Sequence, residues 1–170
     1  MIVELVKYDD KHIPSLIELL NNPNVSDWLM NVPQPYTEET AKEWIDITRE
    51  MEDGKDFGYA VELNGVHIGG IGMNVQGGAL PGLDDHKAEI GYWLGEPYWG
   101  KGYMSDAMKQ LMKLAFEDLG LTRLYAHTHE GNTASEKLLL RHGFEHEGFL
   151  KKSFKKDGRI FNANLFAKVI

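Results

Sequence analysis

The sequence predicts a mixed α/β domain built on one central sheet. Two patterns lead to that class: short apolar, β-branched and aromatic runs typical of strands, and longer stretches with apolar residues at helical spacing. Their order along the 170-residue chain is β-α-α-β-β-β-α-β-α-β-β. Repeats, linkers and low-complexity runs do not interrupt it, so residues 1–170 are expected to form a single domain.

The element boundaries follow from the same patterns and from turn residues. Strands are predicted over residues 2–6, 57–63, 66–73, 87–94, 123–128, 145–154 and 159–169. Helices are predicted over residues 12–20, from 37 onward, from 104 to 120 and over 132–142. Residues 21–35 favour a broken helix or ordered loop, and residues 76–85 form either an exposed connector or a mobile flap. Asn64-Gly65 and Asp157-Gly158 are dipeptides favoured in two-residue hairpins.

Composition narrows the function classes. The formal net charge of -8 argues against a nucleic-acid partner and suits a cationic substrate or simply an acidic surface. The absence of cysteine excludes thiol nucleophiles, disulfides and cysteine metal sites. The N-terminus alternates rather than forming an apolar block, and no run reaches the roughly 20 apolar residues of a membrane span. We therefore expect a cytoplasmic protein without a membrane partner; a homodimer is compatible with the sequence.

One stretch joins a strand, a glycine turn and the start of a helix. Residues 90–94 are apolar and strand-like, and helical spacing begins at Met104. Gly100 and Gly102 stand between them, where missing β-carbons let a ligand approach the backbone. Free N–H groups at such a helix start form an anion site. Residues 99–104, the glycine turn, are therefore predicted to bind a phosphate-bearing ligand.

Three phosphate-binding patterns compete for this turn. Gly95 to Lys101 satisfies G-x-x-x-x-G-K, but Gly102 occupies the Ser/Thr position of a P-loop. A dinucleotide fingerprint starting at Gly100 fails because it ends on Ser105. The pyrophosphate loop of acetyl-coenzyme A N-acetyltransferases, roughly Arg/Gln-x-x-Gly-x-Gly/Ala, matches both glycines and departs only at Pro97. A strand–helix connection without a ligand is the remaining alternative.

The element order, the glycine turn after the fourth strand and Asn132 at the start of the following helix resemble the GNAT N-acetyltransferase family, over nearly the whole chain. Several motifs are similar to the RimJ/RimL branch of protein N-terminal acetyltransferases: Glu89-Ile90-Gly91-Tyr92, Trp99-Gly100-Lys101-Gly102, Asn132-x-x-Ser135, Gly143-Phe144 and Lys156-Asp157-Gly158-Arg159. The resemblance implies a mostly antiparallel sheet with helices on both faces and a splayed parallel strand pair. It also implies acetyl transfer from acetyl-CoA to an amine in a ternary complex.

The same resemblance assigns the co-substrate. It places the pantetheine arm between strands 87–94 and 123–128, bound by the backbone of Tyr92, Trp93 and Leu94. It places the pyrophosphate on the amides of Trp99, Gly100, Lys101, Gly102, Tyr103 and Met104. Asn132 could contact the pantetheine amides, cap its helix, or do both, and Lys101 is either a rim charge or a solvated lysine. No metal is expected.

The attacking amine must be unprotonated, which calls for a base. Neutralising a lysine-type amine at pH 7 costs about 4.6 kcal/mol, against about 1 kcal/mol for an α-amine. Glu89, beside the expected acetyl group, is the candidate base through a water, unless it is merely a salt-bridged strand carboxylate. His127 and His129 share a strand face and could relay a proton or line the acceptor site; packed or surface histidines are the alternative, and the pair alone does not indicate a metal.

The oxyanion and the departing thiolate each need a donor. A backbone N–H of a bulge near Tyr92 or Trp93 is the expected oxyanion donor. Many family members use a tyrosine seven residues after the helix-opening Asn as the acid, and here that residue is Leu139. The resemblance therefore moves the acid role to Ser135, which could instead only satisfy the helix's first turn.

The acceptor pocket is predicted between the N-terminal helices, residues 76–85 and the last hairpin. Trp28, Tyr36 and Phe154 could line it or pack in the core. A protein N-terminus or a small amine is the expected acceptor. Two other functions stay open at this point: a CoA-binding sensor without turnover, and a P-loop-like nucleotide-binding phosphotransferase.

Overall fold

A computed structural model describes residues 2–51, 56–75 and 82–170. Its strands are β1 (Glu4–Lys7), β2 (Asp56–Leu63), β3 (Val66–Val75), β4 (Lys87–Leu94), β5 (Arg123–His129), β6 (Glu145–Lys156) and β7 (Arg159–Val169). They form one seven-stranded sheet in the order β1-β2-β3-β4-β5-β7-β6. Only the central pair β4/β5 is parallel among these described neighbours. The predicted mostly antiparallel sheet with one parallel pair is confirmed.

The helices are α1 (Ile13–Leu20), α2 (Pro23–Ser26), α3 (Glu38–Glu50), α4 (Tyr103–Lys113) and α5 (Thr133–Arg141). Helix α3 begins after Thr37, whose side chain accepts a hydrogen bond from the Thr40 amide. Helix α4 continues as a π-helical turn over Leu114–Asp118, and Gly120 adopts a positive φ of 66° after it. The segment predicted as a broken helix contains the single turn of α2. Residues 76–81 of the predicted flap lie outside the described residues.

Helices cover both faces of the sheet, as predicted. Helix α4 packs on one face, where Met108 and Leu111 are buried against the central strands. Helices α1 and α3 pack on the other face, where Leu16 and Ile45 are buried beneath them. Because successive side chains of a strand point to opposite faces, each strand residue in the centre of the sheet belongs to one of these two layers. None of the described helices is long and apolar enough to cross a membrane.

A buried polar cluster lies in the second layer. Glu62 is 5% exposed and bonds the His12 imidazole at 2.9 Å, a contact that lowers the pKa of the carboxyl. The Ser15 hydroxyl donates to the His12 carbonyl, so the neighbouring His67 donates from Nδ1 to Ser15 Oγ at 2.7 Å. His67 is 6% exposed, and its burial lowers the pKa of the imidazole to about 4.

This depressed pKa makes the stability depend on pH. In the unfolded chain His67 would bind a proton below about pH 6.5, whereas the folded protein resists protonation until about pH 4. The free energy of unfolding should therefore fall as the pH drops below 6.5, by up to about 1.4 kcal/mol per pH unit from this residue. Urea titrations at a series of pH values test this on the wild type and on His67→Gln, which keeps a donor for Ser15. Between pH 6.5 and 5 the free energy of unfolding should fall less steeply with decreasing pH in the variant than in the wild type.

The exposed His86 provides the matched control, because its only described bonds involve its backbone carbonyl. His86→Gln should keep the wild-type slope. Equal slopes in all three proteins would show that the His67 pKa is not depressed in the folded state.

Candidate active site

The two parallel central strands separate partway along their length. Pairing between β4 and β5 covers Lys87 to Glu89 on one strand and Arg123 to Tyr125 on the other. Beyond Glu89, β4 keeps its antiparallel partner β3 up to Leu94, and β5 keeps its partner β7 up to His129. A wedge-shaped gap therefore opens between two strands that are each held firmly on their outer side.

The register shows which backbone groups face this gap. The Gly95 N–H donates to the Ile68 carbonyl of β3 at 2.9 Å. Because antiparallel pairs alternate, Trp93 also directs its backbone toward β3, and the backbone groups of Tyr92 and Leu94 face the gap. Trp93 is thus not one of the gap-facing backbone partners that the resemblance implied. The pairing of β3 with β4 has no register shift, so the prediction of a bulge near Tyr92 or Trp93 is wrong.

Glu89 and His127 approach the gap from the face covered by α1 and α3. The alternation places Ala88 and Ile90 in the α4 layer and Glu89 on the opposite side. Glu89 Oε1 lies 2.7 Å from His127 Nδ1, across the last paired position of the two strands. The side chains are 39% and 25% exposed, so both can reach water. The arrangement is a carboxylate–imidazole pair at the narrow end of the gap.

Tyr92 and Ser135 approach from the face covered by α4. Their hydroxyl oxygens are 2.7 Å apart, and burial raises the pKa of the Tyr92 phenol to about 12. Asn132 caps α5 by accepting a hydrogen bond from the Ser135 amide at 3.2 Å. The sequence reasoning gave Tyr92 only a backbone role and so missed its hydroxyl. Leu139 is fully buried in the core cluster against which Tyr92 packs.

The glycine turn lies beyond Leu94. Gly100 and Gly102 have φ angles of 73° and 84°, in the left-handed region that favours glycine. The Trp99 amide donates to the Glu96 carbonyl and its indole N–H to the Leu94 carbonyl. In contrast, the backbone amides of residues 100–105 have no hydrogen-bond partner among the described residues. Of the six predicted amides, those of residues 100–104 are therefore open to an anion, and the Lys101 ammonium bonds Pro97 O at 2.8 Å beside them.

An aromatic cluster, which we define as Trp28, His129, Phe154 and Phe161, lies on the same face as Glu89. The His129 ring centroid is 5.5 Å from that of Trp28, 5.1 Å from Phe154 and 4.6 Å from Phe161. Three of the predicted acceptor residues therefore meet here. Tyr36 does not join them: it is 5% exposed, packs beneath α1 and α3, and burial raises its phenol pKa to about 12.

Two sets of hydrogen bonds, here called tethers, hold α2 in place. The sequence did not predict them. The Glu96 carboxylate, just before the glycine turn, accepts hydrogen bonds from Asn22 at 2.6 Å and Asn24 at 2.9 Å. The Lys156 ammonium of β6 donates to the carbonyls of Ser26 and Leu29 at 2.6 and 2.8 Å. Together they fix Trp28 between the glycine turn and the last hairpin. A carboxylate next to Pro97 gave no sequence signal for partners more than 70 residues away.

A cavity of about 430 Å³ lies apart from this arrangement. It opens between α3 and β2, near Arg49 and Phe57, toward the β1 edge of the sheet and away from the central pair β4/β5. None of the gap-facing groups lines it, so the candidate site is the gap between β4 and β5.

The fold and the site together define a class of group-transfer protein. In this class a splayed pair of parallel strands can hold an extended ligand, and free amides at the wide end of the gap can bind an anion. The sequence model of the acetyltransferase (GNAT) domain matches residues 3–145. The chain belongs to this family, and it is an acetyltransferase.

Individual relatives support the assignment to this family. An uncharacterized N-acetyltransferase, p20 of Bacillus licheniformis, is 31% identical over 89% of this chain and 84% of its own length. The ribosomal-protein-serine acetyltransferase of Escherichia coli is 35% identical over 49% of this chain and 46% of its own length. The structure of Mycobacterium smegmatis RimJ in complex with CoA-disulfide superposes with a TM-score of 0.85 at 24% identity, covering 98% of this chain and 81% of that one.

These comparisons decide between the phosphate-binding patterns. The sheet is largely antiparallel, and the glycine turn follows a strand of a GNAT fold. The alternative of a P-loop phosphotransferase is therefore wrong, and the resemblance to the GNAT family, with homologues in the RimJ/RimL branch, is confirmed.

Proposed function

We propose that the protein transfers an acetyl group from acetyl-CoA to the α-amine of a protein N-terminus. The observation that carries the proposal is the gap itself, which leads from the Glu89–His127 pair past the Tyr92 hydroxyl to the open amides of the glycine turn. An extended thioester carrier with a diphosphate at its far end matches this path, because its thioester would lie beside the Glu89–His127 pair and its diphosphate at the glycine turn. The names of relatives that acetylate ribosomal proteins support a protein acceptor.

The residues present fit this co-substrate. Free amides of residues 100–104 would hold the diphosphate at the positive end of α4. The Tyr92 carbonyl and the Leu94 N–H would hydrogen-bond the pantetheine amides as an added strand. The gap-facing Tyr92 N–H is then the proposed donor to the oxyanion, replacing the bulge that the structure lacks. Acetyl-CoA supplies a thioester whose carbonyl carbon accepts the amine.

Glu89 is the proposed base. The amine nitrogen attacks the thioester carbon, and its proton passes to the carboxylate directly or through a water, which the exposure of Glu89 permits. His127 can accept charge or orient the carboxylate through the 2.7 Å contact. One water-exposed carboxylate suits an α-amine, which needs about 1 kcal/mol to be neutral at pH 7, better than a lysine, which needs about 4.6 kcal/mol.

Ser135 is the proposed donor to the leaving sulfur. With its pKa raised to about 12, Tyr92 stays protonated near neutral pH and can donate to Ser135 Oγ. The serine proton is then free to point into the gap, toward the thiolate that forms as the C–S bond breaks. Tyr92 acts through Ser135 and is a positioning residue, which supplies from β4 a phenol that the family often places at the position of Leu139.

The acceptor panel is the first test. Because the chain has no cysteine, a thiol reagent detects released coenzyme A without protein background. With acetyl-CoA, we expect peptides with a free α-amine to be acetylated at neutral pH much faster than the same peptides carrying a blocked N-terminus and a free lysine. Saturable binding of acetyl-CoA with no thiol release from any amine would instead assign the protein as a CoA sensor.

Replacing the base should slow turnover without weakening co-substrate binding. Glu89→Gln keeps the shape and a hydrogen bond to His127 but cannot accept a proton, so kcat should fall by about 10²-fold or more. Thermal-shift titration with acetyl-CoA should give an unchanged Kd. The exposed Glu43→Gln on α3 is the charge-matched control. Wild-type kcat in Glu89→Gln would remove Glu89 from the mechanism.

The two hydroxyls can be ranked by paired variants. Ser135→Ala removes the group nearest the sulfur and leaves the Asn132 cap in place, so kcat should fall about 10- to 100-fold. Tyr92→Phe leaves the serine hydroxyl and should cost less. Steady-state kinetics at saturating acetyl-CoA measure both. If Tyr92→Phe proves the more damaging, the phenol rather than Ser135 donates to the sulfur.

A further inference from the structure

We propose that the acceptor is a polypeptide with acidic side chains about five to seven residues after its reactive N-terminal amine. Their binding site is the cationic hairpin end, which we define as residues 151–159. This inference rests on the proposed acetylation of an α-amine and adds the charge of the segment that follows it.

The charge of this segment contrasts with the rest of the chain. It contains Lys151, Lys152, Lys155, Lys156 and Arg159 against the single acid Asp157, in a protein of net charge -8. Lys151, Lys152, Lys155 and Arg159 are exposed. Among the described residues, none of these four has a carboxylate within salt-bridge distance. An otherwise acidic surface therefore presents a concentrated, uncompensated positive charge at one place.

That place is continuous with the proposed site. Phe154 pairs with Phe161, and the next pair on the same face is Lys156 with Arg159. The Arg159 guanidinium lies 5.4 Å from the Phe161 ring centroid, and that ring contacts His129. The aromatic cluster thus forms a floor between the Glu89–His127 pair and the cations. A chain leaving the gap on this face crosses apolar rings first and positive charge second.

The hairpin end is also held in place. The Lys156 ammonium donates to the Ser26 carbonyl of α2 and to the Leu29 carbonyl just after it, so this lysine fixes the geometry and does not bind the acceptor. The Lys152 amide donates to the Asn162 side chain of β7 at 2.9 Å, which holds the irregular part of β6 between Leu150 and Phe154 against β7. Cations mounted on a tethered hairpin lose less freedom on binding than cations on a loose loop.

The spacing sets the expected position of the acidic residues. Leu165 of β7 pairs with His127, and Arg159 lies six residues away along β7. At about 3.3 Å per residue this is roughly 20 Å. An extended peptide with its amine at Glu89 reaches the aromatic cluster near its third or fourth residue. It reaches Arg159 near its sixth.

The test uses nine-residue peptides with a free alanine N-terminus, a leucine at position 3 and either Glu, Gln or Lys at positions 5 to 7. With wild-type enzyme and acetyl-CoA, kcat/KM should follow the order Glu, Gln, Lys, with the Glu peptide about 5- to 10-fold better than the Gln peptide. The difference should lie mainly in KM and should shrink toward unity in 0.5 M salt, because the charges are exposed.

Paired variants locate the effect. Lys155 pairs with Ile160 and so lies on the opposite face of the hairpin, which leaves Arg159 as the cation to replace. Arg159→Gln should reduce the Glu-to-Gln ratio to about 1 to 2. Lys137→Gln, which removes the same charge from an exposed position on α5, should keep the wild-type ratio. Thermal unfolding midpoints confirm that both proteins fold.

The outcomes separate this inference from the proposed function. Acetylation of all three peptides at equal rates would overturn the acidic preference and leave α-amine acetylation standing. Release of coenzyme A by none of them, nor by the acceptor panel, would remove the proposed function as well. Inhibition by single-stranded RNA without any dependence on peptide charge would assign the hairpin end to a nucleic acid and contradict the proposal.

Discussion

The site depends on one constraint: β4 and β5 stop pairing after Glu89 and Tyr125 although each continues for several residues. Backbone groups left unpaired in a sheet interior are costly unless something satisfies them. Each strand keeps one antiparallel neighbour, which prevents collapse of the gap. The gap-facing backbone of Tyr92 and the Leu94 N–H are therefore the positions that we propose hydrogen-bond a ligand in place of the missing strand contacts.

The alternation of side chains then divides the chemistry between the two faces of the sheet. Neighbouring residues of β4 point oppositely, so the carboxylate of Glu89 and the phenol of Tyr92 reach the gap from different sides. The nucleophile approaches a carbonyl carbon and the leaving group departs from it along different directions, and the proposed base on one face with the proposed donor on the other matches that requirement. On the face of Glu89, the tethers at Glu96 and Lys156 hold α2 beside the aromatic cluster.

Local patterns predicted most of the fold but only part of the site. Strands, helices and both hairpins follow from periodicity and turn residues, which are properties of contiguous sequence. The Tyr92–Ser135 contact joins residues 43 apart, and the tethers of α2 span more than 70, so no spacing rule could find them. Tyr36 shows the converse problem: an aromatic residue in an irregular segment gives no signal of whether it lines a pocket or fills the core.

Charge explains how such a site could favour one amine over others. In the proposed mechanism a partly exposed carboxylate and a nearby histidine form a modest base, adequate for an α-amine that is partly neutral near pH 7 and weak for a lysine. Selectivity among α-amines must then arise beyond the reacting atoms, from the residues that follow. The aromatic cluster offers apolar contact and the hairpin end offers positive charge, in that order from the gap. In an acidic protein this local reversal of sign is the feature by which, in our proposal, acidic chains are steered toward the hairpin end so that their N-termini meet Glu89.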